Sequence, residues 1–282
     1  YEEQNKVIVD RNFAFFEKMA CASEEERELL QGRGVDRALY ASGRAFEVDA
    51  AKMLEKGKLM SIRPHTRFAP FPRHSHNYVE IMYMCRGKTV HRIDGDALVT
   101  LEAGELLFLN RHASHAIQRA DAGDIAVNFI VLPQFFDEAF NMAGMDNVLS
   151  RFLLGELYTG GAAVSYLHFR VREVLPVQNL VENMVWTLVN RQPGARRINQ
   201  VTMGLLLLQL MHYTECIDMS RNGSIRSPMV EAALREIEEN YRAASLTDVA
   251  AAFHVGLPYL SAEVKRATGS TFKELLLHKR LD

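Results

Sequence analysis

The feature that most constrains the fold is a change of period near Pro133. Upstream of it, from about Lys58, short β-rich runs alternate with turn signals. Val79 to Cys85 precedes Arg86-Gly87, and Thr89 to Ile93 precedes Asp94-Gly95-Asp96, a hairpin signature. Leu98 to Leu101 leads to Ala103-Gly104, and Leu106 to Leu109 and Ile125 to Leu132 close the set. Short strands at this spacing predict a sandwich or barrel over 58–133. Downstream the apolar residues recur at helical spacing, so the chain as a whole predicts an α+β fold.

In the helical part, Val177, Leu180, Val181, Met184, Val185 and Leu188 fall at i, i+3, i+4, i+7, i+8 and i+11, with Pro176 in the first turn. Pro193-Gly194 breaks this helix. A second helix is expected from about Asn199 to Asp218. There Ile198, Val201, Leu205, Leu208 and His212 alternate at three and four, and Leu206, Leu207 and Leu210 widen the apolar surface. A helix this apolar is buried on more than one side, within the monomer or in a dimer. The segment 134–222 is therefore a helical segment and a candidate dimerisation element. Ser220 to Pro228 is polar and punctuated and reads as a linker, with 223–228 as the joint to the next domain. At the other end, 1–57 reads as a mostly helical extension packed on the barrel. It includes the Phe-rich stretch Asn12 to Ala20 and a helix start in which Ser23 caps a first turn of Glu24, Glu25 and Glu26.

Composition narrows the function classes. A chain of 282 residues has room for two modest domains. Its net charge of −2 does not announce a nucleic-acid binder. Three widely separated cysteines, Cys21, Cys85 and Cys216, form neither a disulfide framework nor a zinc-finger spacing and fit a reducing cytoplasm. The longest apolar candidate, Leu205 to Met211, is interrupted by Gln209 and too short to span a bilayer. The N-terminal residues lack the basic-then-apolar pattern of a secretory signal, so the expected location is the cytoplasm.

The strongest local signal is His74-Ser75-His76-Asn77-Tyr78-Val79-Glu80, then Gly87, then Gly104 and His115. Residues i and i+2 of a strand point the same way, so His74 and His76 can converge on one point. Glu80 shares their parity but would lie roughly 13 Å from His76 on a straight strand. A shared site therefore requires a bend near Asn77. With His115 from another strand, the four make a three-histidine, one-carboxylate set suited to Zn, Fe, Ni, Mn or Cu, or a polar pocket lining without metal. His65, His91, His112, His168, His212, His254 and His278 form no comparable constellation in the sequence.

Residues 229–282 read as an all-α unit. Val230, Leu234, Ile237 and Tyr241 give a first amphipathic helix. Ser245-Leu246-Thr247-Asp248 looks like a capping box with Asp for Glu, opening a helix through Phe253 whose Val249, Ala250 and Phe253 face inward. After Val255-Gly256 a third helix begins near Leu257-Pro258, anchored by Leu260 and Val264. That leaves Ser261, Ala262, Lys265 and Arg266 for its outer face, which is helix-turn-helix geometry.

These residues carry two resemblances. The His-x-His, Glu, Gly and later Gly, His spacing resembles the two cupin motifs, with Asn110 and His112 departing from the Pro and Gly usual in the second. Ile237 to Tyr241, Leu246 to Ala250, Tyr259-Leu260-Ser261 and Lys265 to Phe272 resemble the first half of an AraC-type DNA-binding domain. Lys273 to Arg280 resembles the start of that domain's connecting helix. The combination, from about residue 58 onward, resembles AraC-type transcription regulators with an N-terminal cupin-like ligand-sensing domain. The resemblance implies that Pro258, Ser261, Ala262, Lys265 and Arg266 meet operator DNA, although the family commonly has Arg at the place of Ala262 and an apolar residue at that of Glu263. It also implies a second helix-turn-helix after the connecting helix, so a DNA-binding domain truncated after its first helix-turn-helix is expected in this sequence. From Met229 to Asp282 seven Lys and Arg face eight Asp and Glu, a net charge of −1, so this half alone should bind DNA weakly.

The expected function is thus ligand-responsive, sequence-specific transcription regulation. A small, sugar-like effector would sit among His74, His76, Glu80 and His115, and the regulator would be a homodimer with no membrane partner. The alternative is a metal-dependent cupin enzyme acting on a small polar metabolite, motivated by the four-residue spacing. A purely structural protein would leave that concentration of His and Glu unexplained.

Overall fold

The computed structural model describes residues 21–43, 45–95, 97–159, 162–219, 228–242, 244–253, 255–268 and 270–281. The Phe-rich stretch Asn12 to Ala20 and the linker over 223–227 lie outside the described residues. The chain divides into two compact units, Tyr1–Asn222 and Gly223–Asp282, and each is described by itself.

The first unit is built on two mixed-order sheets. One has five strands in the order β1-β3-β8-β5-β6: β1 (Glu47–Val48), β3 (Phe71–His76), β8 (His115–Ile117), β5 (Lys88–Ile93) and β6 (Ala97–Glu102). The other has six in the order β13-β12-β7-β4-β9-β2: β13 (Ile217–Met219), β12 (Tyr166–Phe169), β7 (Leu106–Leu109), β4 (Val79–Arg86), β9 (Ile125–Val131) and β2 (Met60–Pro64). A minor hairpin joins β10 (Tyr158–Thr159) to β11 (Ala162–Ala163). The inward residues of both large sheets, including Phe71, Ile93, Leu101 and Ile117 from one and Met82, Met84, Leu107 and Ile130 from the other, form a single buried cluster. In place of a closed barrel, the expected β domain is thus a pair of sheets sharing one core. The three-residue loop between β5 and β6 has positive φ at Asp94 (50°) and Gly95 (94°), a conformation that Asp and Gly tolerate better than most residues.

The described part of the N-terminal extension is less helical than its sequence suggests. Helix α1 (Glu24–Leu30) begins with a full capping box: Glu26 N donates to Ser23 Oγ, and Ser23 N donates to the Glu26 carboxylate. After it come only a 3-10 turn at Arg37–Leu39, β1, and the four-residue α2 (Ala50–Met53). Strand β1 pairs in parallel with β3, placing Val48 opposite His76. The extension is fastened by a buried ion pair in which Arg67 Nε and Nη2 donate to the two Glu26 oxygens at 2.8 and 2.9 Å.

Behind the six-stranded sheet lie α3 (Asp137–Ala143), α4 (Val148–Leu154), α5 (Leu175–Val189) and α6 (Ala195–Met211). Tyr83, on the outward parity of β4, donates its hydroxyl to Gln178 Oε1 of α5 at 2.7 Å. Gly204 lets α6 approach α3 closely, since a Cβ there would come within 3.4 Å of the Ala139 Cα. The helix expected to run to Asp218 ends at Met211, and the chain returns through β13 to the sheet edge. On α6, Met203, Leu206, Leu207 and Leu210 are buried within the unit, whereas Leu205 is 43% exposed and Ile198, Val201 and Leu208 are half-buried.

The second unit packs α7 (Pro228–Asn240), α8 (Leu246–Ala252), α9 (Leu257–Thr268) and α10 (Phe272–Leu281) around Val230, Ile237, Val249, Leu260, Val264 and Leu276. Pro228, expected in the linker, is the first residue of α7. Ser245 Oγ accepts from Asp248 N at 3.3 Å, so the side-chain-to-backbone bond of the expected capping box forms. Phe253, expected inward, is 39% exposed, because α8 ends at Ala252 and its last turn directs the ring outward.

Candidate functional site: a buried histidine cluster beside a cavity

The bend required near Asn77 is present and goes further than a kink. Strand β3 stops at His76, Asn77-Tyr78 turn the chain, and β4 starts at Val79 in the opposite sheet. Glu80 therefore faces back across the core toward the histidines instead of lying along their strand. Asn77 holds the turn: its Oδ1 accepts from Ala50 N at 2.9 Å.

Within β3 the register shifts between Phe71, opposite Ile117, and His74, opposite His115. One extra residue in β3 makes a bulge at Pro72-Arg73, which turns both Phe71 and His74 inward despite their odd separation. His74 Nδ1 lies 2.9 Å from the Pro72 carbonyl. A carbonyl only accepts, so the proton sits on Nδ1 and the lone pair on Nε2. His76 follows the same logic, with Nδ1 2.8 Å from the Tyr78 carbonyl. Glu80 Oε1 accepts from Asn128 Nδ2 at 2.9 Å, which orients the carboxylate, and Oε2 lies 3.4 Å from His115 Nε2.

The structure brings His74, Glu80 and His115 together: one ligand atom from each lies within 4.8 Å of the others. His76 sits beside this group, its ring centre 5.7 Å from that of His115, with its buried Nε2 lacking a hydrogen-bond partner among the described residues. Two histidines that formed no constellation in the sequence join the cluster. His91 of β5 stacks at 5.9 Å on His115, and His65, just past β2, lies 6.5 Å from His91. The signal for His91 was available in the alternation of Thr89, His91 and Ile93, all buried on one parity of β5. His65 carried none, because its position depends on β2 pairing with β9.

All these groups are removed from water, and burial governs their protonation. It pushes His65, His74 and His76 down to about 4 and His91 and His115 well below the usual imidazole range. It pushes Glu80 up to about 7, against the bond from Asn128. Seven side-chain atoms here have no hydrogen-bond partner among the described residues: His65 Nε2, His76 Nε2, Glu80 Oε2, His91 Nδ1, both nitrogens of His115 and Asn128 Oδ1. At about 1–3 kcal/mol for each buried polar atom left unsatisfied, the set approaches the whole stability of a domain. Part of the cluster lines a cavity of about 40 Å³: His65, His74, Glu80 and Asn128 border it, together with Tyr40, Phe71, Tyr78 and Ile130.

As a metal centre, the cluster supplies a neutral imidazole, a carboxylate and a second neutral imidazole, with His74 already held by a backbone carbonyl in the manner of metal-bound histidine. Zn, Ni, Fe and Cu all accept such N and O donors, so His74, Glu80 and His115 could hold any of them. Two motif glycines are needed by the frame. Gly87 (φ 78°) has the Asp124 Cα 3.0 Å from where its Cβ would be, and Gly104 (φ 83°) has the Arg172 Cβ at 2.8 Å. Asn110, one of the departures from the cupin pattern, is fully buried. Its Nδ2 donates to the carbonyls of Phe152 and Val164, and its Oδ1 accepts from His112 N. The turn before β8 is thereby tied to α4 and to the approach to β12.

In the second unit, α8 and α9 are joined by a short turn in which Val255 N donates to the Ala250 carbonyl. Pro258, Ala262 and Lys265 lie exposed on α9, and Ser261 is half-buried beside buried Leu260 and Val264. The Arg266 side chain lies outside the described residues.

Residues 62–140 match the family described as the AraC-like ligand binding domain. The matched segment runs from β2 through β9 and contains all five histidines of the cluster together with Glu80 and Asn128. Over this segment the N-terminal unit is therefore similar to an AraC-like ligand-binding domain. Among solved structures, the chain is similar to a lysine-to-alanine variant of ToxT from Vibrio cholerae, at 12% identity over 81% of this chain and 82% of that one, with a TM-score of 0.44. It is similar to the AraC-like transcriptional activator CuxR at 11% identity over 73% and 66%, TM-score 0.32. It is also similar to a cupin protein from Bacteroides fragilis at 28% identity over 26% and 64%, TM-score 0.22. No curated protein matches the chain in sequence. Among the described residues no helix is long and apolar enough to cross a membrane.

Proposed function

We propose that this protein is a cytoplasmic, sequence-specific transcription regulator whose DNA affinity is set by a small polar, sugar-like molecule bound at the histidine cluster. The observation that carries the reading is the group of seven buried polar atoms without hydrogen-bond partners among the described residues, three of them on His65, Glu80 and Asn128, which line a cavity inside the segment that matches a ligand-binding family. Polar atoms in such number stabilise a fold only when a guest meets them. The operator would be read by α9 through Pro258, Ser261, Ala262, Lys265 and Arg266. Two chains would associate through the half-exposed stripe of Ile198, Val201, Leu205 and Leu208 on α6. A ligand that fits one arrangement of the two chains better than another shifts the balance between them.

A second reading is favoured by the convergence of His74, Glu80 and His115: a divalent transition metal bound there, with His76 as an additional donor. The metal would then be the effector itself or the anchor for one. The regulator reading is tested by selecting duplexes from a random pool with the full chain, with and without a cell extract of small molecules. An enriched sequence whose affinity changes with the extract supports it. Failure to enrich any sequence under either condition overturns it.

A further inference from the structure

The cavity wall carries one side chain that is charged at every physiological pH, Arg63, and its partners are weak. Arg63 lies at the end of β2, opposite Asn128 of β9. Its Nη1 points at the Met53 thioether at 2.7 Å, an acceptor much poorer than any oxygen. Its Nη2 reaches Glu25 only at 3.9 Å, and its guanidinium rests 5.1 Å from the Tyr40 ring centre. The side chain keeps 36% of its exposure. By contrast, buried Arg67, the next arginine along the chain, has both Glu26 oxygens at full hydrogen-bond length. Arg63 thus stands at the cavity with a planar fork of donors and, among the described residues, no strong acceptor to match it.

The groups that follow inward are complementary in a different sense. Asn128 spends its amide on Glu80, which leaves Asn128 Oδ1 buried without a donor among the described residues. Glu80 Oε2 makes no hydrogen bond among the described residues either, and His115 Nε2 lies 3.4 Å from it. A cation on the cavity wall asks for an anion, and the orphaned Asn128 acceptor on the neighbouring strand, opposite Arg63, asks for a hydroxyl or amine hydrogen.

We infer that the effector is a small hydroxy acid, its carboxylate taken by Arg63 and its hydroxyl donating to Asn128 Oδ1. This rests on the ligand-sensing reading above and narrows it from neutral sugars to acids. A neutral sugar would leave the Arg63 fork unmatched, and an acid without a hydroxyl would leave Asn128 Oδ1 as it is. Glu25 and Glu80 are the acidic groups nearest the bound ligand. Glu25 stays outside the mouth, beside Arg63 and the Tyr40 hydroxyl.

The test uses the full chain in buffer containing a chelator, so that no acid binds through a metal. Sodium lactate, sodium propanoate and 1,2-propanediol are titrated at constant ionic strength, with binding read by saturation-transfer NMR. Lactate is expected to bind roughly tenfold more tightly than propanediol and severalfold more tightly than propanoate. Arg63→Gln should remove the advantage over propanediol. Arg63→Lys should keep part of it, and Arg73→Gln, whose side chain bonds Ser114 on the surface, should keep all of it. Melting curves establish that each variant is folded. Equal binding of propanediol and lactate overturns the inference while leaving the sensing reading intact, since the cavity would still take guests. Retention of the preference in Arg63→Gln overturns it too. Absence of binding by all three probes also overturns it, and the selection experiment on DNA then decides the sensing reading separately.

Discussion

Acid should loosen the N-terminal unit well before ordinary acid denaturation, because its core is full of neutral histidines. His65, His74 and His76 are each moved by burial from 6.5 to about 4. A base whose folded pKa is depressed costs nothing above its unfolded pKa; its contribution is lost as pH falls from about 6.5 toward 4. At pH 5 each of the three disfavours the folded state by about 2 kcal/mol relative to pH 8, or about 6 kcal/mol together. Glu80 acts in the opposite sense. Its pKa is raised from 4.5 to about 7, so the folded state gains as the carboxyl takes its proton, about 2.5 kcal/mol between pH 8 and pH 5. The net loss is about 3–4 kcal/mol, and His91 and His115 add to it in the same direction. For a unit of this size the melting temperature should fall by roughly 10 °C between pH 8 and pH 5. Trp186, the single tryptophan, lies on α5 of this unit, so its fluorescence reports the melt without the C-terminal helices. A melting temperature that is flat or rises over this interval would refute the reasoning. A His65→Phe, His91→Phe double variant should melt at a less pH-dependent temperature.

Removing one member of the buried Glu26–Arg67 pair strands the other charge, so Glu26→Gln or Arg67→Met should cost about 3–5 kcal/mol in urea denaturation. Zinc at a hundredfold excess over its dissociation constant should stabilise the N-terminal unit by about 2.7 kcal/mol, and His115→Ala or Glu80→Gln should abolish that shift in a thermal melt. If two chains associate through α6, Leu205→Arg should convert the dimer to monomers in sedimentation while leaving the fold intact, because Leu205 is 43% exposed and its neighbours Leu206 and Leu207 carry the packing. If Lys265 meets a phosphate, Lys265→Ala should lower affinity evenly across DNA sequences and reduce the salt slope by about one.

Much of this architecture was legible in local patterns. The hairpin at Asp94-Gly95, the helix start at Pro176 and the core of the C-terminal helices are set by residues within a few positions of one another. The need for a bend at Asn77 could be derived from strand rise alone. What local patterns did not carry was long-range pairing. Strands β12 and β13 lie inside a stretch that reads as helical, and they become strands because β7 offers an open edge to Tyr166–Phe169. The early end of α6 at Met211 has the same origin. In the site, His74, Glu80 and His115 were found by spacing. His91 needed the burial parity of β5, and His65 needed the register of β2 on β9. Arg63 has no motif at all; its role follows from its pairing opposite Asn128 and from the poverty of its partners. Phe253 misled because helical spacing was extended one residue past the last turn of α8.

The most direct test of the account is native mass spectrometry of the full chain purified without chelator and then incubated with zinc and with lactate. The account predicts a non-covalent adduct that is retained on gentle desalting, released on unfolding, and absent from a Glu80→Gln, His115→Ala double variant that remains folded. The bare polypeptide mass under every one of these conditions would contradict it, because the buried cluster would then carry its unpaired polar atoms without any guest to meet them.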